Sequence, residues 1–197
     1  PELDDDHVLE RIGRFMGRLH RVGSSRSFHV RESVDVETFG DRPLAWLEQS
    51  SWIPPELKAA WDAVTQLAMA GVRRAFERAQ GVELIRLHGD CHAGNILWTD
   101  TGPHFVDFDD SRTGPAIQDL WMLLSGDASS QSRQLSQVLK GYQTFGRFDP
   151  RELHLVEALR TLRYVHYTAW IARRWEDPAF PAAFPWFGSV RDWQDRI

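Results

Sequence analysis

Between Glu83 and Thr113 the hydrophobic spacing of this chain changes, and that change limits the folds open to it. On either side apolar residues recur at helical intervals, at Val8, Ile12, Phe15, Met16 and Leu19 before it and at Leu155, Leu159, Leu162, His166, Ala169 and Trp170 after it. Inside it there are only short apolar runs: Leu84, Ile85 and Leu87, then Ile96 to Trp98 and His104 to Phe108. The last two are joined by Thr99-Asp100-Thr101-Gly102, whose Asp and Gly suit a β-hairpin turn. A small β element set among long helices predicts an α+β fold that is predominantly α-helical.

The flanking stretches fill in the helices. The acidic opening, residues 1–6, lacks apolar periodicity and is expected to be a linker ending in an N-cap, with Asp4 to Asp6 at the positive end of a helix over His7 to Val22. Gly23 is the expected stop. Gly13 and Gly17, four residues apart, would let a neighbour approach closely, and His20 is expected in a core or capping role. Residues 24–53 predict irregular structure, with exposed loop from Ser24 to Phe39 and a short helical run from Pro43 to Gln49. Pro54 and Pro55 suit the first turn of a long helix that buries Leu57, Trp61, Val64, Leu67, Ala68, Val72 and Phe76 and stops at Gly81. Gly114-Pro115 opens another helix, Gln131 to Phe145 forms a further one, and Asp149-Pro150-Arg151-Glu152 reads as a near capping box heading a helix that ends near Glu176. The aromatic tail from Asp177 to Ile197 is expected to pack on its own helical lobe.

Composition excludes several classes. A net charge of −5 argues against non-specific nucleic-acid binding, which needs a basic surface to displace counterions from phosphates. No signal peptide is evident and no apolar window reaches bilayer length, so no membrane partner is expected. The single cysteine, Cys91, has no internal disulfide partner, and a cytoplasmic location is the expectation.

The chemistry lies in His88 to Trp98, HGDCHAGNILW, and in Phe105 to Asp110, FVDFDD. His88, Asp90 and Asn95 reproduce the spacing of a kinase catalytic loop, H-x-D-x-x-x-x-N. In that pattern Asp90 accepts the proton of the substrate hydroxyl and aims its oxygen at the γ-phosphate of ATP. Asn95 and Asp107 are hard oxygen ligands suited to Mg²⁺, which needs few protein groups when phosphates and water complete its shell. His92 stands two residues after the base, where it can donate a hydrogen bond to the transferred group. His88, Asp90 and His92 in one loop, with Asp107 in the next segment, also raise zinc, but no spacing of a closed site accompanies them.

On these residues the chain resembles the aminoglycoside phosphotransferase and choline kinase superfamily. HGDCHAGN is similar to its HGDxHxxN loop, and FVDFDD to the acidic metal motif that follows. The run from Arg86 to Gly126 more narrowly resembles the bacterial stress-response serine/threonine protein kinases of that superfamily. The resemblance implies that Asp90 is the base, that Asn95 and Asp107 bind Mg²⁺, that His88 and Asp119 support the loop, and that Leu97 and Val106 floor the nucleotide site. Cys91 and Ala93 replace the Leu and Pro common in the wider superfamily.

A kinase also needs a Gly-rich loop and a lysine for the α and β phosphates. No GxGxxG occurs, and the only lysines, Lys58 and Lys140, fall within helical stretches. Residues 7–197 are therefore expected to be a protein-kinase-like C-terminal lobe, inactive alone, whose N-terminal nucleotide-clamping lobe is absent. The expected substrate is a protein serine or threonine. A small alcohol such as an aminoglycoside, choline or homoserine, and a kinase-like binding module without catalysis, are the alternatives.

Overall fold

A computed structural model describes residues 5–197, so the part of the acidic opening that includes Asp4 lies outside the described residues. The chain is predominantly helical with two small antiparallel sheets, as the spacing predicts. It divides into two units. One comprises the chain up to Val34 together with Ala79–Val156; the other comprises Asp35–Arg78 and Glu157–Ile197.

The first unit is built on α1 (Asp6–Gly23), capped by Asp5, whose side chain accepts from the backbone nitrogens of His7 and Val8. Its buried residues include Leu9, Ile12, Met16 and His20, and the helix packs with α5 (Ala128–Tyr142). The glycines make this approach possible. A Cβ on Gly13 would lie 1.9 Å from the Val138 carbonyl oxygen, and one on Gly17 would lie 2.5 Å from that of Tyr142. Gly141 on α5 reciprocates, since a Cβ there would lie 2.0 Å from Glu10 O. Gly23 is not the left-handed stop that the sequence suggests. It is the last residue of α1, and its missing side chain makes room for the carbonyl of Arg86.

The β region is more extensive than the hydrophobic runs imply. β1 (Ile85–Arg86) pairs with β4 (Thr113–Gly114), and β2 (Ile96–Thr99) pairs with β3 (Gly102–Phe105) in the register Ile96↔Phe105 through Thr99↔Gly102. The turn falls at Asp100-Thr101, with Gly102 at φ +127°. β3 therefore ends at Phe105, and Asp107 lies in the loop beyond it rather than at a strand end. The expected exposed loop also ends earlier than Phe39, because Val34 is buried and its N–H donates to Thr113 O at 2.7 Å. The unit closes with α4 (Ile117–Trp121) and a 3₁₀ turn over Pro150–Leu155.

The second unit holds a π turn over Glu37–Asp41 running into α2 (Arg42–Gln49), then α3 (Lys58–Arg78), α6 (Val156–Arg173), α7 (Ala179–Ala183) and α8 (Val190–Asp195). α3 buries Trp61, Thr65, Met69 and Val72, whereas Val64 and Leu67 are exposed, so the predicted stripe had joined two faces of one helix. The aromatic tail packs inside this unit as expected. Trp193 is fully buried with its ring 5.2 Å from that of Trp61, and Phe187 stands 5.3 Å from both Trp52 and Trp175. Arg196 is held at 2.7 Å from Thr168 Oγ1 among these rings.

Candidate active site

The loop after β1 is fastened from below by one carboxylate. Asp119 is fully buried on α4, and its Oδ2 accepts from the backbone N–H of His88 at 2.7 Å while its Oδ1 accepts from that of Gly89 at 2.9 Å. Oδ2 also lies 3.0 Å from Nε2 of His20, whose Nδ1 is 3.0 Å from the Tyr142 hydroxyl. The carboxylate can only accept, so Nε2–H donates to Asp119, and the Tyr142 hydroxyl holds the other ring nitrogen. Burial raises the Tyr142 pKa far above the usual phenol value, with the charges of Glu152 and Asp119 adding to it, so the hydroxyl keeps its proton. His20 is thus a core residue that orients Asp119. Gly89 is the glycine the loop requires, because its φ is +91° and a Cβ there would sit 2.0 Å from Asp110 O.

His88 is buried and ties the loop to the segment after β3. Its Nε2 donates to Val106 O at 2.8 Å, which leaves Nδ1 as the acceptor facing Asp90 N at 3.4 Å. Phe108 covers the imidazole, with ring centroids 4.6 Å apart. Asn95 makes a second tie: its Nδ2 donates to Asp90 O at 3.0 Å, and its backbone carbonyl accepts from Val106 N at 3.1 Å. A backbone carbonyl accepts only a donor, so the Asn95 amide orientation is fixed and Oδ1 is the atom left to bind a cation.

Asp90 is partly exposed, and His92 Nε2 lies 3.5 Å from its Oδ2. Nδ1 of His92 accepts from Gly94 N at 3.0 Å, so the ring proton sits on Nε2, on the Asp90 side. Asp107 is exposed, and among the described residues it is the one non-glycine with positive φ, at +64°. Asp tolerates this region better than most residues, but the conformation still costs about 1–2 kcal/mol, the kind of strain that gathers at functional loops. Cys91 is completely buried against Met16, with its sulfur 3.8 Å from the thioether, and burial drives its thiol pKa well up. Leu97 lies on β2 opposite His104 and is exposed, while Val106, half-buried, follows the end of β3.

Asp90, His92 and Asn95 thus share one loop that His88 and Asn95 join to the segment bearing Asp107, with Asp119 beneath. Among the described residues no group of three or more His, Cys, Asp or Glu side chains converges. Two residues were missed by sequence reasoning. Arg31, in the stretch expected to be an irregular loop, donates through Nη1 to the carbonyls of Asp109 and Ser111 and so pins the metal-motif loop. Glu152, read as a capping-box member, instead buries its carboxylate and accepts from Ile117 N at 2.8 Å. No local pattern signals either contact, since each spans more than thirty residues.

The model of the phosphotransferase enzyme family known as APH matches residues 1–156. The chain belongs to this phosphotransferase family. APH-family relatives include the stress response kinase A of Escherichia coli O157:H7, 45% identical over 98% of this chain and 58% of the relative. A protein of Salmonella typhimurium named serine/threonine protein kinase RdoA is likewise 45% identical, over the same shares of the two chains. The chain therefore spans about 58% of the length of these relatives. In fold it resembles an amicoumacin kinase solved with AMP-PNP, Ca²⁺ and Ami, with a TM-score of 0.61 at 16% identity over 98% of this chain and 60% of that one. Among the described residues no helix is long and apolar enough to cross a membrane.

Proposed function

We propose that these residues supply the base and magnesium-holding half of an ATP-dependent kinase that phosphorylates serine or threonine hydroxyls of proteins. The observation that carries this reading is the double tie of the catalytic loop: Asn95 to Asp90 O at 3.0 Å and His88 to Val106 O at 2.8 Å. It holds a candidate base and two hard oxygen ligands on one braced framework. Asp90 accepts the hydroxyl proton and orients the attacking oxygen. His92 keeps its Nε2 proton beside that carboxylate, from which it can turn to the transferred group. Asn95 Oδ1 and the Asp107 carboxylate would hold Mg²⁺, which would supply positive charge to offset that of the nucleotide's phosphates. Leu97 and Val106 offer an apolar face to the nucleotide base.

The nucleotide clamp would come from outside residues 1–197. The two lysines stand on helices in exposed ion pairs, Lys58 with Asp62 at 3.2 Å and Lys140 with Glu10 at 2.8 Å, without a neighbouring glycine-rich loop. The choice of a protein substrate is supported by the Salmonella typhimurium relative, 45% identical, which is named a serine/threonine protein kinase. Incubation of the whole protein with labelled ATP, a protein panel and a panel of small alcohols tests it. Label on proteins at serine or threonine is expected; label confined to small alcohols rejects the protein-kinase reading, and none on either rejects the kinase.

A further inference from the structure

Glu152 sits in the 3₁₀ turn of the first unit, 4% exposed, and its Oε2 accepts from Ile117 N at 2.8 Å. Ile117 opens α4, and two residues along that helix stands Asp119, which accepts from the amides of His88 and Gly89. One continuous line of contacts thus runs from the turn to the catalytic loop. The turn is itself anchored, because Arg151 pairs with Asp149 and donates to Gln80 O at 3.1 Å. Glu152 borders a cavity of about 200 Å³ shared with His20 and Arg21 of α1, Glu83, Tyr142 of α5 and Arg147, and Asp149 precedes it on its own turn.

We propose that Glu152 is a positioning residue for the catalytic loop: its carboxylate fixes the head of α4 and thereby the place of Asp119 beneath His88 and Gly89. The importance of that loop for transfer rests on the kinase reading; the mechanical link does not. Burial, aided by the like charges of Asp149 and Glu83 and opposed by the Ile117 and Ala116 amides, raises the Glu152 carboxyl from 4.5 to about 7. A raised carboxyl favours the fold fully below its unfolded pKa, and that contribution is lost as pH rises through about 7. The bond to Ile117 responds oppositely, since an ionised acceptor binds an N–H more strongly than a neutral one. Ionising Glu152 therefore lowers global stability while tightening the loop. A purely structural carboxylate would move both in one direction.

Residue-resolved hydrogen–deuterium exchange on the 197-residue chain at pH 6 and pH 8, read as protection relative to unfolded-peptide rates, separates the two. With Glu152→Gln, protection of the His88 and Gly89 amides at pH 8 is expected to fall roughly five-fold. The β2–β3 amides should hold, and the melting temperature at pH 8 should rise. The difference between the two chains between pH 8 and pH 6 isolates Glu152 from every group common to both. Loop protection that stays constant, or rises with the melting temperature, overturns the proposal. Should E152Q not fold, E152D decides, since it keeps the charge but is too short for Ile117 N; unchanged protection of His88 and Gly89 overturns the proposal there too. No catalytic assay enters, so failure of the kinase reading would be seen separately.

Discussion

The Oδ2 atom of Asp119 lies 2.7 Å from the backbone nitrogen of His88, thirty-one residues earlier in the chain. With Oδ1 on Gly89 N, this carboxylate satisfies two consecutive amides that the tight loop leaves without secondary-structure partners. It is the joint between the helical scaffold and the candidate catalytic loop.

Asp119→Asn replaces one of those acceptor oxygens with an NH₂ that faces a donor. The expected cost is about 3 kcal/mol in denaturant unfolding, from a buried amide left unpaired and a charge-assisted bond weakened. A change below about 0.5 kcal/mol would mean that the loop holds its shape by other contacts.

The helix pair of the first unit predicts a contrast between glycines. Gly13→Ala drives a methyl group to 1.9 Å from Val138 O, a backbone atom that cannot yield, and should destabilise by roughly 2 kcal/mol. Gly71→Ala meets only the flexible end of Arg74 at 3.8 Å within α3, and should be neutral or stabilise by up to about 1 kcal/mol. Chemical denaturation of both variants checks the pair; similar effects at the two sites would count against the close crossing.

These cases show where sequence reasoning succeeds. Helices were legible because burial against a core imposes a period, and His88, Asp90, Asn95 and Asp107 could be proposed together because the chemistry of phosphoryl transfer would fix their local spacing. Gly13 and Gly17 announced a close neighbour but not which one. The contacts of Arg31 and Glu152 were invisible, because a polar side chain bonding a distant backbone group leaves no periodic trace. Glu152 even misled, since Asp149-Pro150-Arg151-Glu152 satisfies a local capping rule: Asp149 does cap Arg151 N, while burial draws Glu152 to α4. The Val64 and Leu67 error has a similar origin, as apolar residues scattered on two faces of α3 imitate a single broad stripe.

Cys91 gives a prediction about reactivity. It is fully buried, and its thiol is pushed well above its ordinary pKa by burial and then by the charges of Asp119 and Asp90. The native protein should not react with a thiol reagent at pH 8 over minutes, and one equivalent should appear on denaturation. Rapid native labelling would show that the catalytic loop opens readily.

The central claim is that Asp90 serves as the base of a phosphoryl transfer, and its most direct test is the rate at which the whole protein transfers phosphate from labelled ATP with Asp90→Asn. The account predicts a loss of about 10²–10⁴-fold with an unchanged circular-dichroism spectrum, the usual worth of a positioned general base. A folded D90N protein that transfers phosphate at a near-normal rate would contradict it.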